Sequence, residues 1–288
     1  MSEKATTNIN DLSQWKLDFT AKVPFKDPVR YENALNDLKK RLTKEIGGWE
    51  QVLDDKHLLK FLRYKDCDSV AAFKMLRAAQ EFRLADPKRH FPEGKGPLDY
   101  AYVYNLRCVE VLRYRNPRDG SAVAILRLGD WRPETGVDFF EAQNAGVFLA
   151  DCVLDDERVQ RDGVTLIIDC QGVSMSMVMS FLPPSSIPST ICSIQDTCPI
   201  RFVGIHLLNQ PLMYQVVYGL AWPFISKENQ QKIHLHGSNI EALHKYVDPA
   251  ILPRDLLGPH EPDCLWLPEI VYRMHNDFVR RSVLLGSS

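Results

Sequence analysis

Residues 201–227 read RFVGIHLLNQPLMYQVVYGLAWPFISK, and the way this run divides decides the fold. Between Arg201 and Lys227 it holds no acidic or basic residue except His206, which is long enough to raise the question of a membrane span. Asn209, Gln210, Pro211 and Pro223 interrupt it, and an interrupted span would leave backbone groups unsatisfied in lipid. It reads instead as strand, turn and helix. Pro211 suits the first turn of the helix and Pro223 stops it after about three turns. On a 100° wheel Leu212, Met213, Val216, Val217 and Leu220 fall on one face, and Tyr214, Tyr218 and Trp222 on nearly the opposite one. A helix apolar all round is either simply buried or a lid, with an aliphatic face over a ligand and an aromatic face suited to a membrane interface. Both readings predict burial from water; only the lid predicts movement.

Working outward, short apolar runs rich in branched residues occur at Val109 to Leu112, Ala122 to Leu128, Val164 to Ile168 and Phe202 to Leu208, with a last strand at Lys232 to Leu235. Longer helical segments such as Phe139 to Leu154 separate them, which argues for an α/β layer with a largely parallel sheet. Asn116 to Gly120 (NPRDG) reads as a hairpin turn, so the first pair is antiparallel and the sheet mixed. Upstream, Tyr31 to Ala85 shows helical periodicity only. Asp66 or Asp68 is placed to cap a helix whose apolar face is Ala71, Ala72, Met75, Leu76, Ala79 and Phe82. Asp86 to Pro97, carrying Pro87, Pro92, Gly94, Gly96 and Pro97, is the linker candidate. Near the end, Leu267, Ile270, Met274 and Phe278 fall at helical spacing and predict a helix docked on the body.

A net charge of -2 and the lack of any Lys/Arg-dense run argue against nucleic-acid binding. Seven scattered cysteines without a C-x-x-C pair read as reduced thiols, and Met1 to Asp18 lacks the apolar run of a signal peptide, so a cytoplasmic protein is expected. The motifs of nucleophilic serines, phosphate loops, dinucleotide sites and zinc proteases are missing from the sequence, so no enzyme, cofactor or metal is expected. The run Leu166-Ile167-Ile168-Asp169 resembles a strand that holds magnesium in NTPases, but it lacks an accompanying phosphate loop. His234 and His236 would point to one face of a strand; they read either as half a metal site or as histidines hydrogen-bonded near a strand end.

Several segments together resemble one family. Lys60 to Asp68 (KFLRYKDCD) is similar to the opening of the helical N-terminal CRAL-TRIO module. Cys198 to Pro211, Trp222 to Ile225, Lys232 to Gly237 (KIHLHG) and Ile251-Leu252-Pro253 resemble the CRAL-TRIO lipid-binding domain in order and spacing. The likeness covers roughly Tyr31 to Pro262 and looks closest to the branch of alpha-tocopherol transfer protein and cellular retinaldehyde-binding protein. It implies an N-terminal extension over 1–30, a helical module over 31–90, a lipid-binding domain over 97–262 and a C-terminal helix over 263–288.

The resemblance further implies a pocket between the sheet and a mobile gate helix. Its wall would comprise Leu126, Val147, Leu166, Ile168, Val173, Phe181, Ile194, Ile200, Phe202, Ile205 and Phe224, with Met213 and Val217 from the gate. Arg201, Lys232 and Lys65 match a basic cluster that binds phosphoinositide head groups, while Val203 and Glu228 replace basic residues and Lys227 offers partial compensation. Tyr214, Tyr218 and Trp222 would meet the membrane. The expected function is a monomeric intracellular carrier of one small isoprenoid-like lipid (tocopherol, retinoid, carotenoid or terpenoid), in transient contact with membranes. The alternatives are phospholipid or phosphoinositide exchange, or a lipid-sensing regulator.

Overall fold

The computed structural model describes residues 9–45, 53–86, 88, 90, 92, 95–131, 133–174, 176–177, 187–211, 214–261 and 270–276. Three helices come first: α1 (Pro28–Glu45), α2 (Asp55–Tyr64) and α3 (Ser69–Ala85). Asp54 caps α2 by accepting from the His57 N–H, and Asp68, rather than Asp66, caps α3 by accepting from Val70 and Ala71. Asp66 and Cys67 instead form the tight turn between them with positive φ. The apolar faces close on one another in a core of Leu35, Leu38, Leu42, Leu58, Phe61, Leu62, Phe73 and Leu76.

A one-turn helix α4 (Ala101–Asn105) leads into a five-stranded sheet: β1 (Val109–Val111), β2 (Ala122–Arg127), β3 (Val164–Asp169), β4 (Phe202–Leu208) and β5 (Ile233–Leu235). The strands lie side by side in chain order. β1 and β2 are antiparallel and every other pair is parallel. The predicted turn is in place: Gly120, at φ +82°, donates its N–H to the Asn116 carbonyl at 2.8 Å, and Asn116 donates its side-chain amide to Tyr246 O at 2.9 Å.

Parallel neighbours require crossovers. Those here carry α5 (Phe139–Val153) and α6 (Glu157–Asp162) before β3, α7 (Ile187–Thr197) before β4, and α8 (Tyr214–Ala221) with α9 (Lys227–Gln230) before β5. A capping box between Asp138 and Glu141 opens α5. After β5 come α10 (Ile240–Leu243) and two short turns.

The two sheet faces are filled differently. On one, Val123, Ile125, Ile167 and Leu208 pack against Leu12, Leu243, Val247, Ile251, Leu252 and Leu256. On the other, α5 covers the β1 end and the beginnings of β2 and β3 through Ala142, Ala145, Leu149, Cys152 and Val153, joined by Ile270, Val271 and Met274 of the helical stretch 270–276. Leu267 and Phe278 of that predicted helix lie outside the described residues.

An ionic seam joins the N-terminal helices to α5 and α6. Lys60 of α2, its side chain fully enclosed, reaches Asp151 at 2.6 Å and Asp155 at 3.0 Å, and donates to the Asp151 carbonyl at 2.8 Å. Burial alone would lower its pKa; the charge of Asp151, followed by that of Asp155, overcomes this and raises it. Lys56 adds a 2.8 Å bond to Asp155, and Arg63 (3.0 Å) and Lys22 (2.9 Å) hold Glu157.

Candidate functional site

The strand register sorts the central residues by face. Ala124 pairs with Leu166, Leu126 with Ile168, Leu166 with Ile205 and Ile168 with Leu207, so these six side chains share the face away from Ile167. Leu126, Leu166, Ile168 and Ile205 are only half-buried and belong to none of the packed clusters among the described residues. Their neighbours Ile125 and Ile167 are fully buried on the opposite face. Central strands of a parallel sheet are ordinarily covered on both faces, and among the described residues these four aliphatic groups are less completely covered than their neighbours on the opposite face.

The other predicted wall residues scatter around this patch. Val147 on α5 and Val173 beyond β3 are half-buried. Phe202, opposite Val164, is half-buried, and Ile200 packs against the α5 core. Ile194 and Phe224 are 39% and 40% exposed, an outward placement that the sequence did not suggest. Phe181 and Met213 lie outside the described residues, as does the side chain of Val217. Ala124 and Leu207 share the face but not the exposure: Ala124 packs on the α5 core and Leu207 is buried.

The connection from β4 to β5 is the predicted gate. Because the strands are parallel, it must leave the carboxyl end of one and return to the amino end of the other. It contains α8, then a 3-10 turn over Trp222–Phe224, then α9. α8 ends at Ala221 and Pro223 sits in the 3-10 turn that follows; Leu212 and Met213, ahead of α8, lie outside the described residues. Gln195 of α7 fastens the turn, donating to Phe224 O (2.9 Å) and accepting from Ser226 N (2.8 Å) and Asn229 Nδ2 (3.1 Å). The aromatic face is divided. Tyr214 is turned inward toward Cys170, and burial pushes its phenol pKa up. Tyr218 and Trp222 lie against each other at 4.9 Å, both half-buried. The exposed large apolar groups here, among the described residues, are Leu220 and Phe224, with Ile194 of α7.

Beside the gate the predicted cations come together around one carboxylate. Lys232 bonds Glu228 at 2.7 Å, and the Glu228 pKa is held below its usual range by that hydrogen bond first, with the charges of Lys232, Arg201 and Lys65 adding to it. Arg201 also lies 3.7 Å from Asp66. Lys227 is exposed at the start of α9.

A recess of about 780 Å³ opens at the carboxyl ends of β2 and β3, just past Leu126 and Ile168. Its wall mixes Leu106 and Met177 with polar groups: Arg127, tied to Glu110 (2.6 Å) and Asp255 (2.9 Å), then Arg107, Asp130, Asp169, Ser174 and Ser176. None of the described wall residues lines it. Asp169 accepts from Asn209 Nδ2 and the Gln171 N–H, each at 2.9 Å, which fastens the start of the gate. The two predicted histidines meet a third on the Ile167 face. His206 Nδ1 and His236 Nε2 share a 3.0 Å hydrogen bond, and the His234 ring stacks on His206 at 5.0 Å. Among the described residues no three or more His, Cys, Asp or Glu side chains are arranged to hold a metal ion. Nor is any described helix long and apolar enough to cross a membrane.

The chain is similar to Clavesin-2 of Rattus norvegicus and of Homo sapiens, 27% identical over 226 residues, covering 73% of this chain and 63% of the relative. Clavesin-1 of Rattus norvegicus is 28% identical over 211 residues, covering 73% of this chain and 58% of the relative. The chain thus spans less than two thirds of the length of these relatives. The crystal structure of Sfh5 superposes with a TM-score of 0.55 at 14% identity, covering 90% of this chain and all of that one, and so shares its fold. Residues 109–258, from the first strand to the turn after the last, match the CRAL/TRIO domain. With that match over half its length, the chain belongs to the CRAL/TRIO family of lipid-binding proteins.

Proposed function

We propose that the protein is an intracellular, monomeric carrier that holds one small hydrophobic lipid between the open sheet face and the β4–β5 crossover and hands it to membranes without chemical change. The observation that carries this reading is the half-exposed aliphatic patch of Leu126, Leu166, Ile168 and Ile205 on central strands, outside every packed core among the described residues. Val147, Val173 and Phe202 extend the wall and Phe181, Ile200, Met213 and Val217 complete it, while Ile194 and Phe224, expected in the wall, stand outward on the rim beside the gate. The partly polar recess past Ile168 suits a lipid with one hydroxyl or carbonyl end, which Ser174 and Ser176 would meet. In this reading residues 1–30 are an extension, 31–90 a helical module, 97–262 the lipid domain and 263–288 a docking helix.

A ligand hiding about 500 Å² of apolar surface gains roughly 12 kcal/mol at ~25 cal/mol per Å². Lost motion and side-chain ordering cancel much of that, leaving tight binding without any charged contact. Leaving into water forfeits the whole gain, whereas leaving into a bilayer forfeits almost none, so membrane contact speeds release. Leu220, Phe224, Tyr218 and Trp222 form the apolar contact surface, and Lys65, Arg201, Lys227 and Lys232 supply the charge that favours an anionic one. That cation group also supports phosphoinositide exchange as a second reading.

Mass spectrometry of the lipid that co-purifies separates an isoprenoid from a phospholipid, and a chain that carries neither refutes both. Trp222→Ala is expected to slow delivery to vesicles severalfold while equilibrium binding stays within twofold of the parent. Equal transfer rates would remove the gate from the mechanism.

A further inference from the structure

The gate leaves β4 at a well-knit hinge. Asn209, at φ +53°, donates its N–H to Gly237 O at 2.7 Å, and Gly237 returns an N–H to Gln210 Oε1 at 3.2 Å. The hinge therefore depends on β5 staying paired with β4, and β5 is a three-residue edge strand. The side-chain link between those two strands at this end is the imidazole pair. His206 stands three residues before Asn209, and His236 immediately precedes Gly237.

We propose that the His206–His234–His236 cluster is a proton-sensitive latch at the gate hinge: closed while the rings are neutral, released when they charge. This rests on the carrier reading and adds its regulation. In the neutral pair one ring donates and the other accepts; a proton on each removes the acceptor and breaks the bond. His234 stacks 5.0 Å from His206 and 6.4 Å from His236, so a charge on any ring opposes charge on the others.

Among the described residues, what faces the cluster is neutral. β3 contributes Ile167, paired in register with His206, and the segment after α10 contributes the Tyr246 ring, 4.5 to 5.9 Å from all three imidazoles. The charges acting on His206 are those of His234 and His236, and that acting on His236 is His234's; no carboxylate offsets either. Burial first, then these neighbours, pushes the His206 pKa down to about 3, and burial and His234 lower that of His236.

The sign follows from linkage. Groups whose pKa is depressed in the closed state hold it fully above their free value near 6.5, and the hold weakens as pH falls through that value toward the closed-state pKa. Each fully released imidazole shifts closed toward open about tenfold per pH unit in that window. An anionic membrane surface, whose negative potential concentrates protons, lowers local pH by roughly half a unit or more and so biases the latch where the cargo is to leave.

Hydrogen exchange of the full-length chain at pH 7.5 and 5.5, corrected for intrinsic rates, tests this. Protection of peptides within 206–237 is expected to fall at least tenfold at pH 5.5 while α2 and α3 peptides hold, and His206→Gln with His236→Gln, which removes both depressed rings, to abolish the difference. An unchanged parent, or the same fall in the double variant, overturns the latch. If the variant does not fold, histidine NMR titration of the parent decides: two imidazoles titrating below 6.5 uphold it, and all titrating at or above 6.5 overturns it. No lipid enters the measurement. A flat response therefore refutes the latch and leaves the carrier to its own extraction test, while a lipid-free chain with a pH-sensitive hinge refutes the carrier alone.

Discussion

Glu228 is the residue on which head-group recognition turns, because Lys232, Arg201 and Lys65 all act on its carboxylate. Replacing it with glutamine frees Lys232 and removes one negative charge from the rim. At ~1 kcal/mol per charge near an anionic surface, Glu228→Gln should raise partition onto phosphatidylserine vesicles about fivefold, and salt should erase the gain. Vesicle co-sedimentation across ionic strength measures it. Individual residues were legible where local chemistry decides them: Asp68 as a helix cap and Asn116 to Gly120 as a turn both follow from short-range hydrogen bonding. His206 was not, because its importance comes from a partner 30 residues away, brought alongside by strand pairing. Tyr214 was assigned to the outer face by a helical wheel, which says which residues share a side but not which side meets the protein.

At the scale of elements, β3 carries the clearest contrast. Ile167 is fully buried against Ile251 and Leu252, while Ile168, one residue on, sits half-open on the other face. Ile167→Ala is expected to cost about 2–4 kcal/mol through loss of packing and a residual cavity. Ile168→Ala in the lipid-stripped protein should cost less than ~1 kcal/mol, because no tightly packed neighbours are lost. Urea unfolding of both variants checks the pair, and equal losses would mean that the second face is packed like the first. Branched runs such as Val164 to Ile168 declare a strand, and the alternation of helices between them declares parallel pairing. The open face stays invisible in the sequence, since Leu166 and Ile168 read the same whether a neighbouring helix or a guest covers them. Pro223 was read as a helix end, and the α-helix does stop at Ala221; what the sequence did not show is that the chain goes on in a 3-10 turn, with Gln195 and Gln230 bonding the carbonyls of Phe224, Trp222 and Ile225.

Across the whole molecule, the ionic seam decides how the helical cluster sits on the sheet. Lys60 is the enclosed member, and removing its charge leaves Asp151 and Asp155 facing each other, with Lys56 and, at 3.6 Å, Arg273 compensating Asp155 only in part. Lys60→Met should destabilise the protein by about 3–5 kcal/mol in chemical unfolding. A change below ~1 kcal/mol would mean that the aspartates find other partners. α7 packs on α3, so a helical cluster held in place also steadies the wall beside the gate.

The cover is a crossover between two strands, sewn to its frame at both edges, rather than a flap on a single thread. Its two ends reach the sheet at different points along β4: Asn209 leaves just past the strand, and Lys232 returns beside its middle to accept from the Ile205 N–H at 2.8 Å. Such a door tilts without swinging free: one jamb loosens while the other keeps its register, and re-closing needs no search for the doorway. A cut in the exposed bend near Phe224 would turn it into two shutters, each still hung on its own strand, in a molecule that stays assembled but leaks.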